Sequence, residues 1–184
     1  MIESIVGTNR RGSSSSALAK WLLKYYQELE VDAQIMDLLD LPLETFSPES
    51  YKNKPQAVLN YTDRILCSSG LVIITPEYNG SMPGSLKLFI DLLPFPESFE
   101  GRPVCYVGLA AGQFGALRPV EHLMQVFSYR NAHNYPNRVF LPHSHNLIDL
   151  QKGVTDEATA DRLHNQAQGF IGYCNLLKSQ SAID

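Results

Sequence analysis

Three short stretches of the chain concentrate residues suited to holding a ligand. The first reads Gly7-Thr8-Asn9-Arg10-Arg11-Gly12-Ser13-Ser14-Ser15-Ser16. Small residues let the backbone wrap close to a bound group, four consecutive serines offer hydroxyls, and Arg10 or Arg11 adds a guanidinium matched to an oxyanion. A helix beginning at the serines would aim its unpaired N–H groups at the same point. Together these suit a phosphate. Gly7 and Gly12 have the Gly-x-x-x-x-Gly spacing of a nucleoside triphosphate loop, but Ser13 stands where that loop needs lysine. A Gly-x-Gly-x-x-Gly dinucleotide signature is absent. Helix capping alone would explain one serine, not four.

The second stretch, Thr75-Pro76-Glu77-Tyr78-Asn79-Gly80-Ser81-Met82-Pro83-Gly84, combines stiffening prolines with glycines and one aromatic, a set able to cradle a flat ring with backbone groups. The third, Ala110-Ala111-Gly112-Gln113-Phe114-Gly115-Ala116, offers an opposite wall of small residues with one amide and one aromatic. Other chemistries find less support. Glu77 is the only carboxylate in the three stretches, so no acid and base couple is visible. No Gly-x-Ser-x-Gly elbow is present. His143 and His145 lack an evident third ligand, so no metal site is expected and the pair reads as surface. Cys67, Cys105 and Cys174 are odd in number and widely spaced among apolar neighbours, which predicts buried thiols and no disulfide framework.

The elements that must position these stretches follow from apolar spacing. Ile2–Val6 predicts a strand, and Leu18, Trp21, Leu22, Tyr25 and Leu29 a helix after the first stretch. Residues 31–38 alternate as a second strand. Val58, Tyr61, Ile65 and Leu66 mark a helix closed by Gly70, followed by the unalternating run Leu71 to Ile74, a strand buried on both faces. Helices are predicted over residues 86–93, 120–127 and from near Thr155 to about Leu177, with strands over 104–109 and 138–141; residues 129–135 read as a surface loop. Strands alternating with helices imply an α/β fold, an open five-stranded parallel sheet in flavodoxin-like order 2-1-3-4-5 with helices on both faces. In such a sheet ligands bind at the carboxyl ends of strands, where strand order reverses. The three stretches follow the first, third and fourth strands.

Composition narrows the function classes. The 184 residues, 44% hydrophobic and 18% charged, suit a single domain over 1–184. A net charge of −4 without charge blocks argues against nucleic acid as partner. No apolar stretch approaches the roughly 20 residues of a membrane span. Met1–Val6 lacks the pattern of a secretory leader, and the expectation is a cytoplasmic protein.

The stretch Gly7-Thr8-Asn9-Arg10-Arg11-Gly12-Ser13, taken with Pro76-Glu77-Tyr78-Asn79-Gly80-Ser81-Met82-Pro83-Gly84-Ser85-Leu86-Lys87, resembles the NADPH-dependent FMN reductase family, which includes flavodoxin-like quinone, azo-dye and chromate reductases. The resemblance extends to about Leu177, and its second motif is the more specific. It implies FMN as cofactor, with Thr8, Arg10, Ser13, Ser14 and Ser15 at the phosphate. Pro76, Glu77, Tyr78, Asn79 and Gly80 would lie along the ribityl chain and ring, and Ala111, Gly112 and Gln113 would complete the pocket. It implies ping-pong transfer of a hydride from NAD(P)H, through FMN, to a small acceptor: a flavin, quinone, azo compound or metal oxyanion. No protein acid or base is expected, and Arg118 is the candidate for the phosphate of NADPH. A homodimer or homotetramer is implied, with Phe89, Leu92, Leu93, Phe95 and Phe99 expected to supply apolar surface. The alternatives are a flavodoxin-type electron carrier and a non-catalytic flavin-binding regulatory module.

Overall fold

The uninterrupted apolar runs become central strands because helices cover both their faces. In the computed structural model, which describes residues 1–180, β1 (Ile2–Val6) and β4 (Pro103–Leu109) are buried along their whole length, as is β3 (Gly70–Pro76) except at its last residue. The final four residues of the expected 1–184 domain lie outside the described residues. β2 (Ala33–Asp37) pairs with β1, β1 with β3 and β3 with β4, all parallel, giving the expected order β2-β1-β3-β4 followed by the fifth position. Successive side chains alternate between two cores, as period two requires. Val72, Ile74, Cys105 and Val107 face α1 (Ser14–Glu28) and α5 (Glu157–Gln180). Leu71, Ile73, Val104 and Tyr106 face α2 (Gln56–Cys67), α3 (Gly84–Leu92) and α4 (Leu117–Tyr129).

The buried carboxylate in β1 is bound tightly. Glu3, fully buried in β1, receives Nε and Nη2 of Arg64 at 3.1 and 2.6 Å, and the same Nη2 donates to the Ile35 carbonyl at 2.9 Å. One guanidinium from α2 thus bolts β1 to β2. Removing it would strand a buried carboxylate, at a cost of roughly 3–5 kcal/mol.

The structure corrects several expectations. The fifth sheet position holds two pieces, β5 (His133–Asn134) beside the start of β4 and β6 (Val139–Leu141) beside its end. Part of the expected loop over 129–135 is therefore strand, and between the pieces Gln166 Nε2 donates to the carbonyls of Tyr106 (2.9 Å) and Asn137 (2.8 Å). Gly70 caps nothing. It opens β3, where a Cβ would lie 2.6 Å from Cys174 Sγ and 2.9 Å from the Phe170 ring. Leu66 and Cys67 are exposed, not buried. Of the five residues expected to supply apolar surface, Phe89, Leu92, Leu93 and Phe99 are core, and only Phe95 is exposed. A short hairpin, β7 (Ile148–Asp149) with β8 (Gly153–Val154), went unforeseen. Its turn is held by Asp149, whose Oδ1 accepts the N–H groups of Gln151 and Lys152, both at 2.8 Å.

Candidate functional site

The three loops meet at the carboxyl ends of β1, β3 and β4, across the point where strand order reverses between β1 and β3. They enclose a cleft of about 540 Å³, within the range of small-ligand sites. Eight of the expected residues line it: Arg10, Ser13, Ser14 and Ser15 from the first loop, Pro76, Glu77 and Tyr78 from the second, and Ala111 opposite.

The first loop is built as a cap with donors to spare. Ser13 has extended backbone, and its Oγ accepts the Ser16 N–H at 3.1 Å, which starts α1. That leaves the N–H groups of Ser14 and Ser15 without an intrahelical acceptor and pointing out of the helix end. The Ser14 and Ser15 hydroxyls have no hydrogen-bond partner among the described residues, although Ser15 is 1% exposed. Thr8 does not line the cleft. It is buried behind the wall, where its Oγ1 accepts the Arg10 N–H at 3.2 Å and lies 2.8 Å from the Tyr78 hydroxyl, so it ties the first loop to the second.

The second loop ends in a tight turn. Tyr78 and Ser81 exchange backbone hydrogen bonds of 2.9 and 3.1 Å, and the two residues between them, Asn79 and Gly80, both have positive φ (51° and 75°). Asn-Gly is the pair that tolerates this geometry. Asn79, Gly80 and Gly112 line a smaller adjoining cavity of about 290 Å³ together with Phe114; Glu77 and Ala111 border both spaces. Gln113 is exposed and lines neither. Arg118, at the start of α4, lies 3.5 Å from Glu77 and stacks 5.0 Å over Phe114, so it reaches the rim of the smaller cavity.

A fourth wall was not legible in the three loops. Ser144, His145, Ile148 and Leu150 also line the cleft. They arrive there because the chain after β6 is pinned to the third loop: Ser144 N–H donates to the Ala110 carbonyl at 3.0 Å, and His143 Nδ1 lies 3.1 Å from the Ala111 carbonyl. The sequence signal was the turn Asp149 to Gly153, an Asp and a Gly bracketing polar residues. The N–H bonds from Lys152 first and Gln151 second hold the Asp149 carboxyl below its ordinary 3.8.

The cleft's chemistry fits FMN. Free N–H groups, hydroxyls and a guanidinium gather at one end, where a dianionic phosphate needs them, and the remaining walls of Pro76, Tyr78, Ala110, Ala111 and Ile148 are suited to a flat ring. Among the described residues no group of three or more His, Cys, Asp and Glu is placed to hold a metal ion, and no helix is long and apolar enough to cross a membrane.

Residues 1–146 match the NADPH-dependent FMN reductase family. A quinone reductase of Escherichia coli (strain K12) is 32% identical over 182 residues, 96% of either chain. An NAD(P)H-dependent FMN reductase of Pseudomonas aeruginosa is 30% identical over 171 residues, 90% of either chain. Among solved structures, the flavoenzyme NAD(P)H:(acceptor) oxidoreductase FerB from Paracoccus denitrificans superposes with a TM-score of 0.78 at 28% identity, covering 95% of this chain and 96% of that one.

Proposed function

This chain belongs to the NADPH-dependent FMN reductase family, and from that premise we propose that its cleft holds FMN with the phosphate on the Ser13–Ser15 end, for electron transfer from NAD(P)H to a quinone. It is an FMN-dependent oxidoreductase of flavodoxin-like fold. The observation that carries the placement is the gathering of unpaired first-turn N–H groups, two unpartnered serine hydroxyls and Arg10 at one end of a cleft otherwise walled by small and aromatic residues.

Bound FMN supplies the two-electron chemistry, taking a hydride equivalent from NAD(P)H and delivering electrons to the acceptor. The protein's residues bind and orient. Arg10 and the α1 N-terminus offset the phosphate charge. The Thr8–Tyr78 contact fixes the distance between the phosphate end and the ring wall. The N–H groups of Ala111, Gly112 and Gln113, which have no partner among the described residues, are the donors available to negative charge on the ring edge. Arg118, half exposed at the rim, takes a phosphate of NAD(P)H.

Quinones come first among acceptors because a relative spanning nearly the whole chain is a quinone reductase; azo compounds, free flavins and metal oxyanions are acceptors of the same open site. Residues 1–184 constitute one FMN-binding domain, placed in the cytoplasm. Two copies pair through the face between α3 and α4, where Phe95 (60% exposed) and Tyr129 (78%) flank a hollow of about 460 Å³. Light scattering at micromolar concentration should then give at least twice the chain's 20.6 kDa; a particle of one chain's mass refutes the pairing.

The direct test is the anaerobic visible spectrum of FMN-loaded protein before and after one equivalent of NADPH. Rapid bleaching of bound yellow flavin is the expected result. Bound flavin that stays yellow would instead indicate an electron carrier or sensor, and failure to bind FMN would refute the placement.

A further inference from the structure

A second cavity, about 520 Å³, lies on the other side of the first loop, and no part of the FMN placement uses it. It shares Arg10, Gly12, Ser13 and Leu150 with the cleft, so the two spaces adjoin at the phosphate end. FMN ends at its phosphate. A group joined to the far side of that phosphate would enter this cavity.

The walls are those of a nucleoside site. Lys20 projects from the same α1 face as Ser13, seven residues and about two turns along, and makes no ion pair among the described residues. Asp37 stands at the carboxyl end of β2, beside the glycine-containing loop of β1, which in open parallel sheets is where an acidic side chain receives the ribose hydroxyls of a dinucleotide. One of its oxygens, Oδ1, accepts the Leu39 N–H at 3.0 Å, and the other has no hydrogen bond. Asp40, exposed, borders the same space. Ala17, Ile35 and Leu150 give an apolar surface for a base.

We propose that this cavity is a subsite for an adenosine 5′-phosphate group, with Lys20 on its phosphate and Asp37 and Asp40 on its ribose. Two molecules carry that group to this site: FAD, bound in place of FMN, and NAD(P)H. The FAD case rests on the FMN phosphate lying at the first loop.

The test is calorimetric titration of apoprotein with FMN and with FAD, and of FMN-loaded protein with NADP⁺, for the wild type and for the Lys20→Ala/Asp40→Ala variant. Both substitutions are at exposed positions. A roughly tenfold loss of FAD affinity with FMN affinity unchanged assigns the subsite to FAD, and the same loss for NADP⁺ assigns it to the pyridine nucleotide. Unchanged FAD and NADP⁺ affinities overturn the subsite while leaving FMN binding intact. Equal weakening of FMN and FAD also overturns it, because the residues would then act on the flavin phosphate alone. If wild-type apoprotein binds no FMN, the phosphate placement itself fails and the FAD case falls with it.

Discussion

The contact between Thr8 Oγ1 and the Tyr78 hydroxyl, 2.8 Å, ties the phosphate end of the cleft to its ring wall, and a double-mutant cycle measures it. Tyr78→Phe removes one partner and leaves the ring. Thr8→Val removes the other, and with it the acceptor for the Arg10 N–H at 3.2 Å, a loss common to both backgrounds and therefore cancelled in the cycle. A neutral hydrogen bond contributes about 0.5–1.5 kcal/mol net, so urea unfolding of the apoprotein should give a coupling energy in that range. For a chain of this length the Tyr78→Phe variant should melt about 1–6 °C lower. Untied loops must also be ordered when FMN binds. The same energy caps the loss of FMN affinity in Tyr78→Phe at between about two- and thirteenfold, read by calorimetry. Additive substitutions, with coupling below about 0.3 kcal/mol, would refute the tie. Coupling in stability with FMN affinity unchanged would show that the bond holds the loops together without pre-ordering them for FMN.

Ser13→Ala removes the cap of α1 and should cost about 1 kcal/mol in urea unfolding, with weaker FMN binding because the first turn frays; unchanged values on both counts would mean that another group caps the helix. Arg118→Ala should raise KM for NADPH about two- to fivefold with kcat little changed, as befits one exposed charge; an unaltered KM removes Arg118 from the nucleotide site. Asp149 titrates below 3.8 in the folded chain, so its contribution to the β7–β8 turn is present above the unfolded value and lost as pH falls through the lower folded one. NMR titration of the Asp149 carboxyl should show that lowered midpoint, and a midpoint at 3.8 or above would refute the turn geometry.

Strand order and the meeting of the three loops were legible because buried parallel strands announce themselves as unbroken apolar runs, Leu71 to Ile74 above all, and because small residues follow each at its carboxyl end. What escaped had weaker or ambiguous signals. His133–Asn134 is polar and too short to show alternation, and becomes a strand only because β4 offers it a partner. Ser144 and His145 enter the cleft through the backbone bond from Ser144 to Ala110 and the His143 side-chain contact with the Ala111 carbonyl, contacts between segments far apart in the chain that no local pattern encodes. Phe89 and Phe99 looked like surplus apolar surface for one helix face, yet both rings are buried, Phe89 edge-on to Tyr61 at 6.0 Å and Phe99 edge-on to Phe127 at 4.8 Å. Gly70 has the position of a helix stop, but its lack of a side chain makes room for Phe170 and Cys174 from the far end of the chain.

The divided fifth position has a bearing on how copies of this protein can meet. A long, flat outer strand offers a row of free backbone groups that another chain can extend into a continuous ribbon. Here that border is cut into runs of two and three residues, separated by a stretch containing Pro136, which has no N–H to give, and bridged from behind by Gln166. An incoming strand would find no register along which to zip. Along this border a second sheet is thereby denied the continuous ladder of backbone groups it would need, whereas the opposite border, β2, keeps an unbroken run of five residues.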